Sequence, residues 1–272
     1  MHWIGRDIQT GRNHPHPGSR MKTEIDHTTR FTDRVDYYAA FRPRYPDSVI
    51  AYLRDEAGLT PDAAVADVGS GTGISSDLFL RHGHVVYGIE PNAAMREAAE
   101  RELQHYPRFR SIDATAEHTT LPDVTADVVV SASAVHWFDQ ALARAEFHRI
   151  LKPGGLVIVM GNGRRKDGSL FMRAYDELVH LSSLPTSAHE NREQRVLAFV
   201  GEGMHTKQIE YAEHLDFRAL SGRTLSYSTI PLAGQPGHDT MMRELRVLFD
   251  AAATGNSVEY EGQVKLRWNR WL

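Results

Sequence analysis

One segment constrains this chain more than any other: Val65-Ala66-Asp67-Val68-Gly69-Ser70-Gly71-Thr72-Gly73. A short β-branched run ends near an acid and breaks at once into glycines. Ile74-Ser75-Ser76-Asp77-Leu78-Phe79-Leu80 follows, with apolar residues at helical spacing. The pattern predicts a strand, a tight turn and a helix N-terminus. Glycines there let the backbone pass close to a ligand, because no Cβ stands in the way. Seventeen residues after Gly73, the run Val85-Val86-Tyr87-Gly88-Ile89 ends at Glu90. An acid at the tip of a second strand is suited to accept both hydroxyls of a ribose.

The spacing of the glycines discriminates between cofactors. A dinucleotide fingerprint reads G-x-G-x-x-G and turns its helix N-terminus toward a pyrophosphate. Here the spacing is G-x-G-x-G, and Asp67 stands two residues before Gly69. A carboxylate at that point repels a pyrophosphate and suits an ammonium group. S-adenosylmethionine carries an ammonium, a sulfonium and a ribose diol, and is the expected cofactor.

The rest of the chain fits an α/β fold. Strands are expected near 64–68, 85–89, 109–112, 126–131 and 155–161, with helices near 73–82, 92–105 and 138–151. Alternation of this kind implies a doubly wound, mostly parallel sheet covered on both faces. Before it, Phe31, Val35, Tyr38 and Phe41 share a helical face, Arg42-Pro43-Arg44-Tyr45-Pro46 breaks that helix, and Asp47 is placed to cap a second one. Residues 1–30 lack periodicity and read as a mobile tail, in which His14 and His16 are taken as solvated rather than as metal ligands. The expected organisation is therefore a tail (1–30), a cofactor-binding core (31–163), a helical cap (164–215) inserted after the fifth strand, and a C-terminal segment (216–272) that completes a seven-stranded sheet through strand-like runs at 225–231 and 258–271.

Composition narrows the chemistry. The net charge of -4 gives no global attraction to nucleic acid. The absence of cysteine removes disulfides, thiolate metal sites and a cysteine nucleophile, and fits a cytoplasmic protein. No apolar run is long enough for a membrane helix. A small-molecule partner is expected, with no nucleic acid, no membrane and no metal, in a monomer or homodimer.

The glycine turn with Glu90-Pro91-Asn92, the segment Ala114-Thr115-Ala116-Glu117 before Leu121-Pro122, Ala134-Val135-His136-Trp137-Phe138-Asp139, and Leu151-Lys152-Pro153-Gly154-Gly155 together resemble class I S-adenosylmethionine-dependent methyltransferases, Rossmann-like enzymes. Within them the chain is similar to the small-molecule group that includes trans-aconitate methyltransferase, over about residues 31–265. The resemblance implies methyl transfer to a small acceptor, with a carboxylate or hydroxyl oxygen favoured. It implies cofactor contacts from Tyr38, Arg42, Asp67, Gly69, Ser70, Gly71, Gly73, Glu90, Pro91, Thr115, Ala116, Glu117 and Ser131. Arg42 would meet the methionine carboxylate, and Tyr38 would close over the cofactor. The family often carries an acid where Thr115 stands, so the adenine contact here would rest on the hydroxyl or on backbone amides. His136 follows the fourth strand and is the candidate base or acceptor orienter, with Trp137 beside it as a wall of the substrate pocket. Two rivals remain. A nicotinamide-dependent oxidoreductase would need the other glycine spacing and a catalytic Tyr/Lys or His/Asp set, and a non-catalytic cofactor-binding regulator would lack an acceptor pocket. The fourth-strand exit also lacks an Asn-Pro-Pro-Tyr type of sequence used on nucleic-acid bases.

Overall fold

The computed structural model describes residues 34–184 and 192–271. The expectations for the tail, including His14, His16 and Phe31, lie outside the described residues. Seven strands form one sheet: β1 (Ala64–Val68), β2 (Val85–Ile89), β3 (Phe109–Ile112), β4 (Ala126–Ala132), β5 (Leu151–Arg164), β6 (His205–Leu215) and β7 (Val258–Arg270), in the order β3-β2-β1-β4-β5-β7-β6. The first five strands run parallel, and β7 enters antiparallel between β5 and β6.

The core is built on both faces of this sheet. Helices α2 (Ser48–Ala57), α3 (Ile74–Leu80) and α4 (Ala93–Leu103) cover one face through Ile50, Leu53, Leu78, Phe79 and Leu103, against Val65, Val128, Ile158 and Leu266. Helices α5 (Gln140–Ile150) and α7 (Arg192–Val200) cover the other through Phe147, Ile150 and Phe199, against Val129, Val157 and Val159. Parallel strands buried on both sides read as near-continuous apolar runs, as these do. A third cluster joins α6 (Leu170–Ser182), α8 (Phe217–Leu225) and α9 (His238–Ala252) around the far ends of β6 and β7. Helix α1 (Val35–Phe41) packs beside α4 and α8.

Three expectations are corrected. The segment 164–215 is helical only in α6 and α7, and its last part is strand β6. Strand β6 lies at the sheet edge, where only Ile209 and Leu215 are buried, so its alternation is too weak to see in sequence. The run 225–231, which reads as a strand, instead ends α8 and turns back. Its backbone is satisfied another way, because the buried Arg34 guanidinium donates to the carbonyls of Leu225, Tyr227 and Ile230. Finally, Asp47 precedes α2 without a side-chain cap, since its carboxylate pairs with Arg81 at 2.8 Å.

Candidate active site

The strand tips on the C-terminal side of the sheet converge on the glycine turn. The N–H groups of Gly69 and Ser70 both donate to the Ile89 carbonyl (2.9 and 3.1 Å), which locks the turn to β2. The turn demands left-handed backbone at Gly69, Gly71 and Gly73, with φ of 73, 56 and 84°. A Cβ on Gly69 would lie 2.5 Å from the Ala134 Cβ. At Gly71 the space a Cβ would fill is open, with no described atom within 4 Å. That opening is a cavity of about 180 Å³, lined by Tyr38, Gly69, Gly71, Glu90, Pro91, Met95, Thr115, Ala116, Glu117, Trp137 and Phe138 among others. A small extension of about 50 Å³ continues past Ser70 and Ser75 to Arg42 and Tyr45.

The acids behave as two different devices. Glu90 stands in the cavity wall and is held by two backbone donors, the Gly71 N–H on Oε2 and the Asn92 N–H on Oε1, each at 2.9 Å. Burial raises its pKa above the usual carboxylate value, and the two N–H bonds and Arg96 oppose that rise. Asp67 lies wholly buried under the turn and does not line the cavities. Its Oδ2 accepts from the Ser75 and Ser76 hydroxyls at 2.7 Å each, while Oδ1 has no hydrogen-bond partner among the described residues. Burial pushes its pKa up to about 6, against the pull of those two hydroxyls.

Arg42 is not a solvated helix-end charge. Its guanidinium is sandwiched between the Tyr38 and Tyr227 rings, 4.7 Å from each centroid, and Nη2 donates to the Ser226 carbonyl at 3.1 Å. Its buried Nε has no hydrogen-bond partner among the described residues.

Several expected contacts land elsewhere. Ser131 is fully buried inside β4, and its Oγ faces neither cavity; Ala132, Ser133 and Ala134 line the wall instead. Strand alternation explains this, because Ser131 points into the sheet packing one residue before the strand tip. Gly73 caps α3 rather than lining a cavity, and a Cβ there would meet Leu103 at 2.6 Å. Trp137 and His136 belong to a short 3-10 turn (Val135–Trp137) and face different spaces. Trp137 borders the first cavity, whereas His136 borders a second and larger one. Successive residues in such a tight turn project in different directions.

That larger cavity measures about 370 Å³ and lies over β5 and β7 beneath α7. It meets the first at Ser133 and Ala134, which line both. Ser133 is left-handed at φ 60°, an uncommon state for a residue with a side chain, and its N–H donates to the Met160 carbonyl at 2.9 Å. Asn162, Arg192, Gln263 and Lys265 also line this space. None was singled out from the sequence, for they come from three distant segments with no local pattern. Glu146 was missed as well. It is buried, accepts from both the N–H and hydroxyl of Thr119, and is paired with Arg149, so it anchors the loop that carries Thr115–Glu117.

Comparison with known proteins agrees with this geometry. Residues 66–159 match the model of a methyltransferase domain family. An uncharacterized methyltransferase of Mycobacterium tuberculosis strain H37Rv is 29% identical over 234 residues, covering 85% of this chain and 90% of the relative. An uncharacterized methyltransferase-like protein of Schizosaccharomyces pombe is 28% identical over 145 residues, covering 53% of this chain and 55% of its own. In fold, the chain is similar to a solved structure from Anaeromyxobacter dehalogenans assigned as a type II methyltransferase, with a TM-score of 0.69 at 24% identity over 85% of this chain and 98% of that one. The glycine turn at the tips of β1 and β2, the seven-stranded topology and these likenesses support a class I S-adenosylmethionine-dependent methyltransferase, with residues 66–159 as its methyltransferase domain.

Proposed function

We propose that the chain moves the methyl group of S-adenosylmethionine onto a small-molecule acceptor held in the larger cavity, with a carboxylate or hydroxyl oxygen favoured as the receiving atom. The observation that carries this reading is the pair of cavities that join at Ser133–Ala134, one fitted to an adenosine-bearing cation and the other left for a partner. A non-catalytic binder would have no use for the second space.

The residues present fit the cofactor. Glu90 keeps acceptor capacity beyond its two backbone bonds and would take the ribose hydroxyls. The orphan Oδ1 of Asp67 would answer an ammonium, directly or through water, and the orphan Nε of Arg42 would answer a carboxylate. Pro91, Thr115, Ala116 and Glu117 would border the adenine. Tyr38 lines both the main cavity and its extension, where it would cover the middle of the ligand. Open space at Gly71 lets the backbone come close. The cofactor supplies an electrophilic methyl on sulfonium, a transfer that is favourable once the partners are aligned.

Alignment is therefore the main task of the protein, and it can contribute on the order of 7–11 kcal/mol in the best intramolecular systems. His136 would accept the proton of a hydroxyl acceptor, or orient a carboxylate that needs no base. The test is transfer of a tritiated methyl from S-adenosylmethionine to a panel of hydroxy acids, phenols and carboxylic acids. Label in a small organic product supports the reading. Label found only in protein or nucleic acid, or in nothing, refutes it.

A further inference from the structure

The larger cavity has a definite electrostatic character, and strand register explains it. Along β7, Val264, Leu266 and Trp268 point into the core shared with α2 and α3. Gln263, Lys265 and Arg267 alternate with them and so point to the opposite face, into the cavity. Their partners on β5 are Gly163, Gly161 and Val159. The two glycines carry no side chain, which leaves the floor open beneath Lys265 and Gln263. Helix α7 roofs the space with Arg192, Glu193 and Val196.

The charges there do not cancel. Glu193 is engaged by Arg267 in an ion pair, so that pair is neutral overall. Arg192 is half-buried, and among the described residues its side chain makes no hydrogen bond or ion pair. Lys265 is exposed to the cavity mouth and likewise makes none among the described residues. The groups that face Arg192 electrostatically are Tyr38, Arg42, Tyr45 and Glu193, and burial lowers its pKa without bringing it near neutrality for a guanidinium. Among the described residues, Arg192 and Lys265 thus bring positive charge with no hydrogen bond or ion pair to an acid, beside a cavity whose other polar walls include Asn162, Gln263, Ser133 and His136. Holding like charges over one cleft is unfavourable unless an anion joins them.

We propose, resting on the methyltransferase reading above, that the acceptor is an organic anion whose carboxylate or phosphate is bound by Arg192 and Lys265. The methyl-transfer point lies where the cavities meet at the β4 tip, and β7 is two strands away, about 10 Å at ordinary strand spacing. The charged anchor and the atom that receives the methyl are therefore different groups of one molecule. Arg192 and Lys265 act as specificity-determining residues and take no part in the chemistry.

The experiment uses calorimetry on the full chain, with and without saturating S-adenosylhomocysteine. The probes are matched pairs: 4-hydroxybenzoate with 4-hydroxybenzamide, succinate with succinamide, and 4-hydroxyphenyl phosphate with hydroquinone. The expected result is that at least one anion binds tenfold or more tightly than its neutral partner. The first two pairs read a carboxylate preference and the third a phosphate preference. The advantage should shrink as salt is raised and should vanish in Arg192→Gln/Lys265→Gln, while S-adenosylhomocysteine affinity stays within twofold. Equal binding of anion and neutral partner in every pair overturns the proposal, and so does an anion preference that survives in the double variant. Failure of S-adenosylhomocysteine to bind would count against the cofactor reading alone, because the anion comparison is also made without it.

Discussion

Replacing Glu90 by Gln gives the sharpest single-residue test of the cofactor site. Glu90 accepts one N–H from Gly71 and one from Asn92, both at 2.9 Å, so each carboxylate oxygen is already committed to the turn it faces. In the variant one oxygen becomes an amide NH₂, which confronts a backbone donor with another donor. The remaining oxygen must serve both a backbone N–H and a ribose hydroxyl. A hydrogen bond to a charged acceptor is worth roughly 1.5–3 kcal/mol net. Losing that acceptor for the ribose should weaken S-adenosylhomocysteine binding roughly 10- to 150-fold, since each 1.4 kcal/mol is a factor of ten. The unpaired backbone donor should also cost the fold about 1–3 kcal/mol, lowering the melting temperature by several degrees without changing the circular dichroism spectrum. Calorimetry on wild type and variant measures the first effect, and thermal melts measure the second. An unchanged dissociation constant in a variant that folds normally would refute the assignment of Glu90 to the ribose.

Other consequences can be read in the same way. Because burial holds the Asp67 pKa at about 6, acid protonates it in the free protein, and S-adenosylhomocysteine affinity should fall about tenfold per pH unit below about 6 in calorimetry; a flat profile down to pH 5 would mean that Asp67 does not face the ammonium. His84 is buried beside the Phe79 ring at 5.8 Å and burial lowers its pKa, so the unfolded chain takes up a proton, near pH 6.5, that the fold resists. Stability should then drop as pH falls below about 6.5, by up to about 1.4 kcal/mol per unit, and His84→Leu should flatten that part of a melting curve series. Gly71→Ala puts a methyl into the open cradle on left-handed backbone, so it should abolish measurable S-adenosylhomocysteine binding while costing the fold only about 1–2 kcal/mol; binding at wild-type strength would show that the cradle is not used. His136→Asn should cut the methylation rate by ~10²-fold or more for a hydroxyl acceptor but act mainly on KM for a carboxylate, and kinetics unchanged in both respects would make it a packing residue.

The parts of the fold that were legible in sequence share a physical cause. Strands β1, β2, β4 and β5 are buried on both faces, so Val65–Val68, Val85–Ile89, Ala126–Ala132 and Leu156–Met160 announce themselves as apolar runs. Strand β6 has a solvent-facing edge and carries Lys207, Glu210 and Glu213, so nothing in its composition marks it. The run 225–231 misleads for the opposite reason: it has strand-like residues, but the buried Arg34 donates to three of its carbonyls from 191 to 196 residues away and Arg42 donates to that of Ser226, and no local pattern reports that. The site divides along the same line. Gly69, Gly71 and Glu90 sit next to strand tips, so spacing alone brings them to one cavity, while Thr115 comes only from the family resemblance. The direction of a side chain at a strand tip cannot be read from spacing, and Ser131 falls outside the cavity walls. The larger cavity is assembled from the end of β5, the middle of β7 and the start of α7, and only the folded register brings Asn162, Lys265 and Arg192 together.

The central claim is that the glycine turn, Asp67 and Glu90 are built for S-adenosylmethionine rather than a dinucleotide. Calorimetric titration of the full chain with S-adenosylhomocysteine and with NAD, under one set of conditions, tests it most directly. The account predicts a micromolar dissociation constant for S-adenosylhomocysteine, about -8 kcal/mol, with NAD at least a hundredfold weaker. NAD binding as tightly as S-adenosylhomocysteine, or more tightly, would contradict it.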